Sequence, residues 1–157
     1  MSIAYLNGSW QPIDEAKVSV LDRGFMFGDG VYEVIPVYQG KTFAEDQHLA
    51  RLANSLNELH ITMPMAQDAW RELFAEAIER GGEDEAVLYV QVTRGVATSR
   101  THIYETGEPT VLVTASKRAL RKISDQYRMV TKQDFSCLLY TSPSPRDQRG
   151  SGMPSCA

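Results

Sequence analysis

The chain has 157 residues, 43% of them hydrophobic, a formal net charge of −4 and a pI near 5.4. That length supports one ordinary core; the acidic balance, without a basic patch, gives no reason to expect a nucleic-acid partner, and no apolar run reaches membrane-spanning length. The two cysteines, Cys137 and Cys156, both fall near the end of the chain and support no disulfide framework, and His48, His60 and His102 have no metal-site spacing.

The first residues carry neither a basic n-region nor a long apolar h-region, so no signal peptide is expected and the cytoplasm is the expected compartment. Residues 3–6 and 9–13 flank Asn7-Gly8, a dipeptide that supplies the positive φ angles of a two-residue hairpin turn. Residues 17–21 form a short approach to the most informative stretch, Asp22 to Val34. It holds Gly24, Gly28 and Gly30 beside Asp22, Arg23 and Asp29, among the aromatic residues Phe25, Phe27 and Tyr32. Each glycine allows a positive φ or a close backbone approach, and such freedom costs entropy on folding, so three of them indicate a shaped site wall rather than a plain connector. A phosphate-cradling loop would follow a strand and open a helix; this one precedes a strand and carries acids on both sides.

Residues 31–38 are rich in β-branched and aromatic side chains and predict a strand, with Pro36 at an edge or bulge because it lacks an N–H. The turn Gln39-Gly40 returns the chain through residues 41–44 as an antiparallel neighbour. A helix is expected from Asp46, as its cap, to about residue 60, with Leu49, Leu52, Leu56 and Leu59 on one stripe. His48 and Arg51, three apart, share a face beside that stripe. A second helix is predicted over residues 67–80, with Trp70, Leu73, Phe74, Ala77 and Ile78 inward and Gly81 ending it. Residues 86–94 and 110–116 alternate as strands on either side of a long loop, and residues 127–131 read as one more. Strands, then two helices, then strands predict an α+β fold: a mostly antiparallel sheet with two helices on one face. From residue 137 proline, serine, glycine and arginine replace the periodic pattern, predicting a disordered tail over residues 137–157 that resembles a translated sequencing adapter and is set aside as an artefact.

The motif Asp22–Val34, the run Glu45-Asp46-Gln47-His48-Leu49-Ala50-Arg51-Leu52, the run Tyr89-Val90-Gln91-Val92-Thr93-Arg94-Gly95 and the triplet Arg100-Thr101-His102 together resemble the class IV aminotransferases, the fold-type IV pyridoxal 5'-phosphate enzymes. Among them the D-amino acid transaminases are the most similar, and the resemblance covers roughly residues 1–135. It implies a domain over residues 1–136 equivalent to the small N-terminal domain of that fold, without the C-terminal domain. It also implies pyridoxal phosphate as cofactor, Arg51 at its phosphate with His48 close by, small amino-acid and keto-acid substrates, and a homodimer.

Tyr32, Arg100 and His102 are implied as a trap for the substrate carboxylate, the Arg-x-His pair reaching across from the partner subunit. A guanidinium, an imidazole and a phenol can hold a carboxylate in one orientation through charge-assisted hydrogen bonds. Arg100 stands six residues after Arg94, one more than the resemblance leads one to expect. The chemistry needs a lysine that holds the cofactor and shuttles a proton; Lys117, Lys122 and Lys132 stand in no matching context, so no catalytic residue is assigned and the chain itself is expected to be inactive. Transfer of an amino group from D-alanine to 2-oxoglutarate is the expected activity of the full gene product. A branched-chain aminotransferase or an aminodeoxychorismate lyase of the same fold, or a domain acting only by association, are the alternatives.

Overall fold

In the computed structural model of the chain, residues 3–104 and 107–118 are described. Alternating burial dictates the architecture. In β3 (Gly30–Tyr38) Glu33, Ile35 and Val37 are buried, while Tyr32, Val34 and Tyr38 point to the opposite, exposed side. The same parity runs through β5 (Ala86–Thr93) and β6 (Thr110–Lys117), whose Leu88, Val90, Val92, Val111 and Val113 join one core.

With β1 (Ile3–Leu6), β2 (Ser9–Pro12) and β4 (Lys41–Thr42) these strands form a six-stranded sheet of order β2-β1-β6-β5-β3-β4, every neighbour antiparallel. The register Ile35↔Leu88 and Val90↔Val113 aligns the buried parity across strands, so a slip of one residue would turn the core outward. Two helices, α2 (Glu45–Glu58) and α3 (Gln67–Gly81), cover that face. Leu49, Leu52 and Leu56 from the first and Trp70, Leu73, Phe74 and Ala77 from the second complete the core. Each fully buried leucine contributes about 2 kcal/mol relative to an exposed one. The α+β prediction therefore describes the fold: an antiparallel sheet with two helices on one face.

The turns behave as their residues require. Asn7 and Gly8 both have positive φ, as do Gln39 and Gly40. Pro36 lies inside the longest strand, but its carbonyl accepts from Phe43 N at 2.8 Å, so its missing N–H points toward the side where the two-residue β4 ends. Several boundaries differ from expectation. The cap of α2 is Ala44, in the left-handed region at φ 52° with no side-chain bond, and Asp46 instead lies in the first turn, where it receives Arg71 Nη2 at 2.7 Å. Gly82, at φ 65°, terminates α3, one residue later than expected. Residues 17–21 approach the glycine-rich segment without regular structure, as expected, but a short helix, α1 (Arg23–Phe27), occupies that segment, whose sequence suggests only a loop. The expected strand 127–131 and the tail 137–157 lie outside the described residues.

Candidate functional site

The glycine-rich segment is built around one cap and two close approaches. Asp22 Oδ1 accepts from Gly24 N at 2.8 Å and starts α1; Gly28, at φ 65°, closes it. Gly24 and Gly30 both lie against Thr93: a Cβ on Gly30 would stand 2.7 Å from the Val92 carbonyl oxygen and 3.0 Å from Thr93 Cα. The segment thus needs its glycines partly for conformation and partly because β5 leaves no room for a side chain.

Leaving that turn, β3 puts Tyr32 and Glu33 on opposite faces of the sheet. Tyr32 is exposed and stacks on Tyr89, ring centroids 6.1 Å apart. Burial pushes the Tyr89 phenol up, and the neighbouring Tyr32 adds to the shift. Glu33, 3% exposed, lies under α2, where His48 and Arg51 meet it. Arg51 donates from Nε and Nη2 to both carboxylate oxygens at 2.6 Å, and His48 Nδ1 lies 2.7 Å from Oε2, so that ring nitrogen carries the proton. Burial raises the Glu33 pKa, but the hydrogen bonds and charges of Arg51 and His48 more than offset it and hold the carboxyl below its ordinary value. The Glu33 hydrogen bonds in turn raise Arg51, with a smaller contribution from Tyr32. The Arg51 side chain is 66% exposed. Its inner edge is fixed by a bidentate pair, and its outer edge is open to a second anion.

A second charged cluster lies at the other end of the same segment. Asp29 accepts from Arg23 Nε at 2.8 Å and from Arg94 through Nε at 2.8 Å and Nη2 at 3.0 Å. Arg94 also donates to the carbonyls of Leu59 and His60, and its guanidinium lies 3.8 Å from the Tyr104 ring centroid. Burial raises the Asp29 pKa, and the two arginines overcome it, so the net shift is downward. Both arginine side chains are almost wholly buried, at 8% and 7% exposure.

The loop after β5 carries Arg100 and His102, both exposed. Arg100 lies over the Phe27 ring at 5.0 Å, and the His102 ring is tilted against the same ring with centroids 5.2 Å apart. The structure therefore gathers His48 with Arg51 around Glu33, and Arg100 with His102 around Phe27, while Tyr32 lies with Tyr89 on the opposite face of the sheet from Glu33. No hydrogen bond or ring contact among the described residues joins Tyr32 to the second group. Sequence reasoning named neither Glu33 nor Asp29 for a role at the site and used Arg94 only as a landmark. The usable signal was an acid at the buried parity of a strand, as at Glu33, which must find basic partners.

Among the described residues no cluster of three metal-ligating side chains occurs, and no helix is long and apolar enough to cross a membrane. The described lysines, Lys17, Lys41 and Lys117, are exposed, and Lys117 pairs with Glu83. Lys122 and Lys132 lie outside the described residues.

Known proteins are similar to the chain in sequence and in architecture. The family model for amino-transferase class IV matches residues 30–145. A D-alanine aminotransferase of Staphylococcus aureus (strain MSSA476) is 40% identical over 108 residues, covering 69% of this chain and 38% of the relative. Among solved structures, a T.th. branched-chain amino acid aminotransferase complexed with N-(5'-phosphopyridoxyl)-L-glutamate aligns with a TM-score of 0.68 at 25% identity, over 74% of this chain and 40% of that one. The 4-amino-4-deoxychorismate lyase of Pseudomonas aeruginosa aligns with a TM-score of 0.61 at 29% identity, over 74% and 40%. The chain spans about two fifths of the length of these curated relatives.

Proposed function

The chain belongs to the class IV aminotransferases, and from that premise we propose that it forms the N-terminal part, residues 1–136, of a pyridoxal-phosphate-dependent D-amino acid transaminase that moves the amino group of D-alanine to 2-oxoglutarate. The observation that carries the reading is Arg51: a permanently charged fork, fixed on one edge by Glu33 and exposed on the other.

The residues present fit part of the cofactor. Arg51 would hold the phosphate by its outer edge, with Glu33 and His48 keeping the guanidinium in place. When bound, pyridoxal phosphate supplies the electron sink that amino-group transfer needs. Tyr32 would then offer a phenol to the substrate, and Arg100 and His102 would bind its carboxylate from a second copy of the chain, completing a site that one copy does not assemble. Among the described residues no lysine stands in such a site, and Lys122 and Lys132 lie outside them; the part proposed for this chain is therefore binding and orientation.

The preference for D-amino acids rests on the Arg-x-His pair and on the named activity of the relatives. The family also includes the branched-chain aminotransferase and lyase to which the fold is similar, and these are the second reading. Two measurements test the proposal. Titration of this chain with pyridoxal 5'-phosphate, followed by NMR, should shift the Arg51 Nε–H and His48 resonances, and an Arg51→Met variant should lose most of the binding. The full-length enzyme should turn over D-alanine; a preference for L-leucine would overturn the assignment.

A further inference from the structure

We propose that α1 is a positioning device for the carboxylate-binding pair: Arg23 and Phe27 set the aim of Arg100 and His102, and with it the affinity for substrate carboxylates. The inference rests on the reading of Arg100 and His102 given above.

The two side chains sit on an exposed loop without regular structure, where an arginine left to itself samples many rotamers. Ordering such a side chain at the moment of binding costs on the order of 1 kcal/mol, so fixing it beforehand raises affinity. Three contacts provide that fixation, and all three originate on α1. Arg23 Nη1 donates to the carbonyl of Thr101, the residue between the pair, at 2.8 Å. Arg100 lies over one aromatic ring, that of Phe27, and His102 packs on the same ring. Arg23 itself lies 4.8 Å from that ring, so Phe27 gathers three basic groups on its surface.

Asp29, shared between Arg23 and Arg94, offsets part of the Arg23 charge and so lessens the like-charge penalty for a further guanidinium at the Phe27 ring. The helix is fixed in turn. Arg23 N donates to the Gly95 carbonyl at 2.9 Å, Asp22 caps its start and Gly28 closes its end. The extra residue between Arg94 and Arg100 then loses its importance. Ala97 N is tied to the Leu21 carbonyl at 3.0 Å and Thr101 to Arg23, so added length falls between the two anchors while the pair keeps its orientation. The glycine-rich segment thus has a second use: beyond presenting Tyr32, it carries the helix that holds the loop.

The test uses the full-length enzyme and this chain side by side. In the enzyme, Phe27→Leu should raise KM for D-alanine and for 2-oxoglutarate about tenfold with kcat within about twofold, Phe27→Tyr should restore KM, and Arg23→Lys, which keeps the charge but loses the fork, should fall between. In this chain, Phe27→Leu should move the His102 ring resonances by removing the neighbouring ring current and leave those of His48 unchanged. If Phe27→Leu leaves KM and the His102 resonances as they are while Arg100→Met raises KM, the positioning role is refuted and the pair keeps its function. If Arg100→Met also leaves KM unchanged, the carboxylate reading of the pair fails. Should Phe27→Leu not fold, Arg23→Lys decides: an unchanged KM overturns the proposal.

Discussion

Asp29 and Glu33 lie four residues apart, and each carboxylate accepts from an arginine fork and from a second basic side chain, yet the two clusters differ in what they leave open. Around Asp29 both arginines are buried, and Arg94 directs further hydrogen bonds to the main chain of residues 59 and 60. Around Glu33 the carboxylate is buried but Arg51 is two-thirds exposed. The first arrangement commits its donors to joining β3, β5 and the turn after α2; the second holds a cation in place and leaves one edge of it facing water. The same chemistry buries the cation or presents it according to which partner faces water.

That contrast can be broken at Asp29 first. Asp29→Asn leaves two buried guanidiniums without their counter-charge and should cost about 3 kcal/mol, read by chemical denaturation. Gly95→Ala comes next, because Gly95 has φ 93° and a Cβ there would overlap the Glu108 carbonyl oxygen; a loss of about 2 kcal/mol is expected from the same measurement.

Acid sharpens the comparison. Both carboxyls are held below their ordinary values in the folded chain, so each stabilises it above the unfolded-state pKa and loses that contribution as pH falls through the folded one. The melting temperature should be flat from about pH 8 to 5 and decline below about pH 4. Glu33→Gln should lower the plateau and reduce the slope.

Arg51→Met should destabilise less than Asp29→Asn, because His48 still pairs with the buried Glu33 carboxylate, while weakening pyridoxal phosphate binding by about tenfold to a hundredfold in a fluorescence titration. An equal loss of stability in both variants would mean that the two clusters share one structural task. The smallest effect belongs to Arg71, whose ion pairs with Glu45, Asp46 and Asp68 are at the surface; Arg71→Met should leave the melting curve nearly unchanged.

Much of this fold was legible beforehand, because periodicity is a local property. The two-residue alternation of residues 86–93 and the leucine spacing of residues 49–56 fix which sides are apolar, and apolar sides must be buried together. Asn7-Gly8 and Gln39-Gly40 announce turns for the same local reason. The sharing of a helix face by His48 and Arg51 also follows from spacing alone, and the structure places both on one carboxylate. Less accessible were the features that depend on residues far away in the chain. Asp46 has the chemistry of a cap, but Ala44 takes that position and Asp46 pairs with Arg71, a residue of the next helix. Arg94 looked like the end of a strand, and only the approach of Asp29, 65 residues earlier, reveals it as a tie between segments.

By itself, then, the sequence determined the order and type of the main elements, the glycine-rich wall and the family it resembles, since each depends on residue types at short range. Only the tertiary structure decided which arginine is exposed and which is buried, that Glu33 is the acid that His48 and Arg51 meet, and that Phe27 gathers Arg100 and His102. Those outcomes depend on which groups burial brings into contact, and the energy of a charge is set by its neighbours and by its access to water.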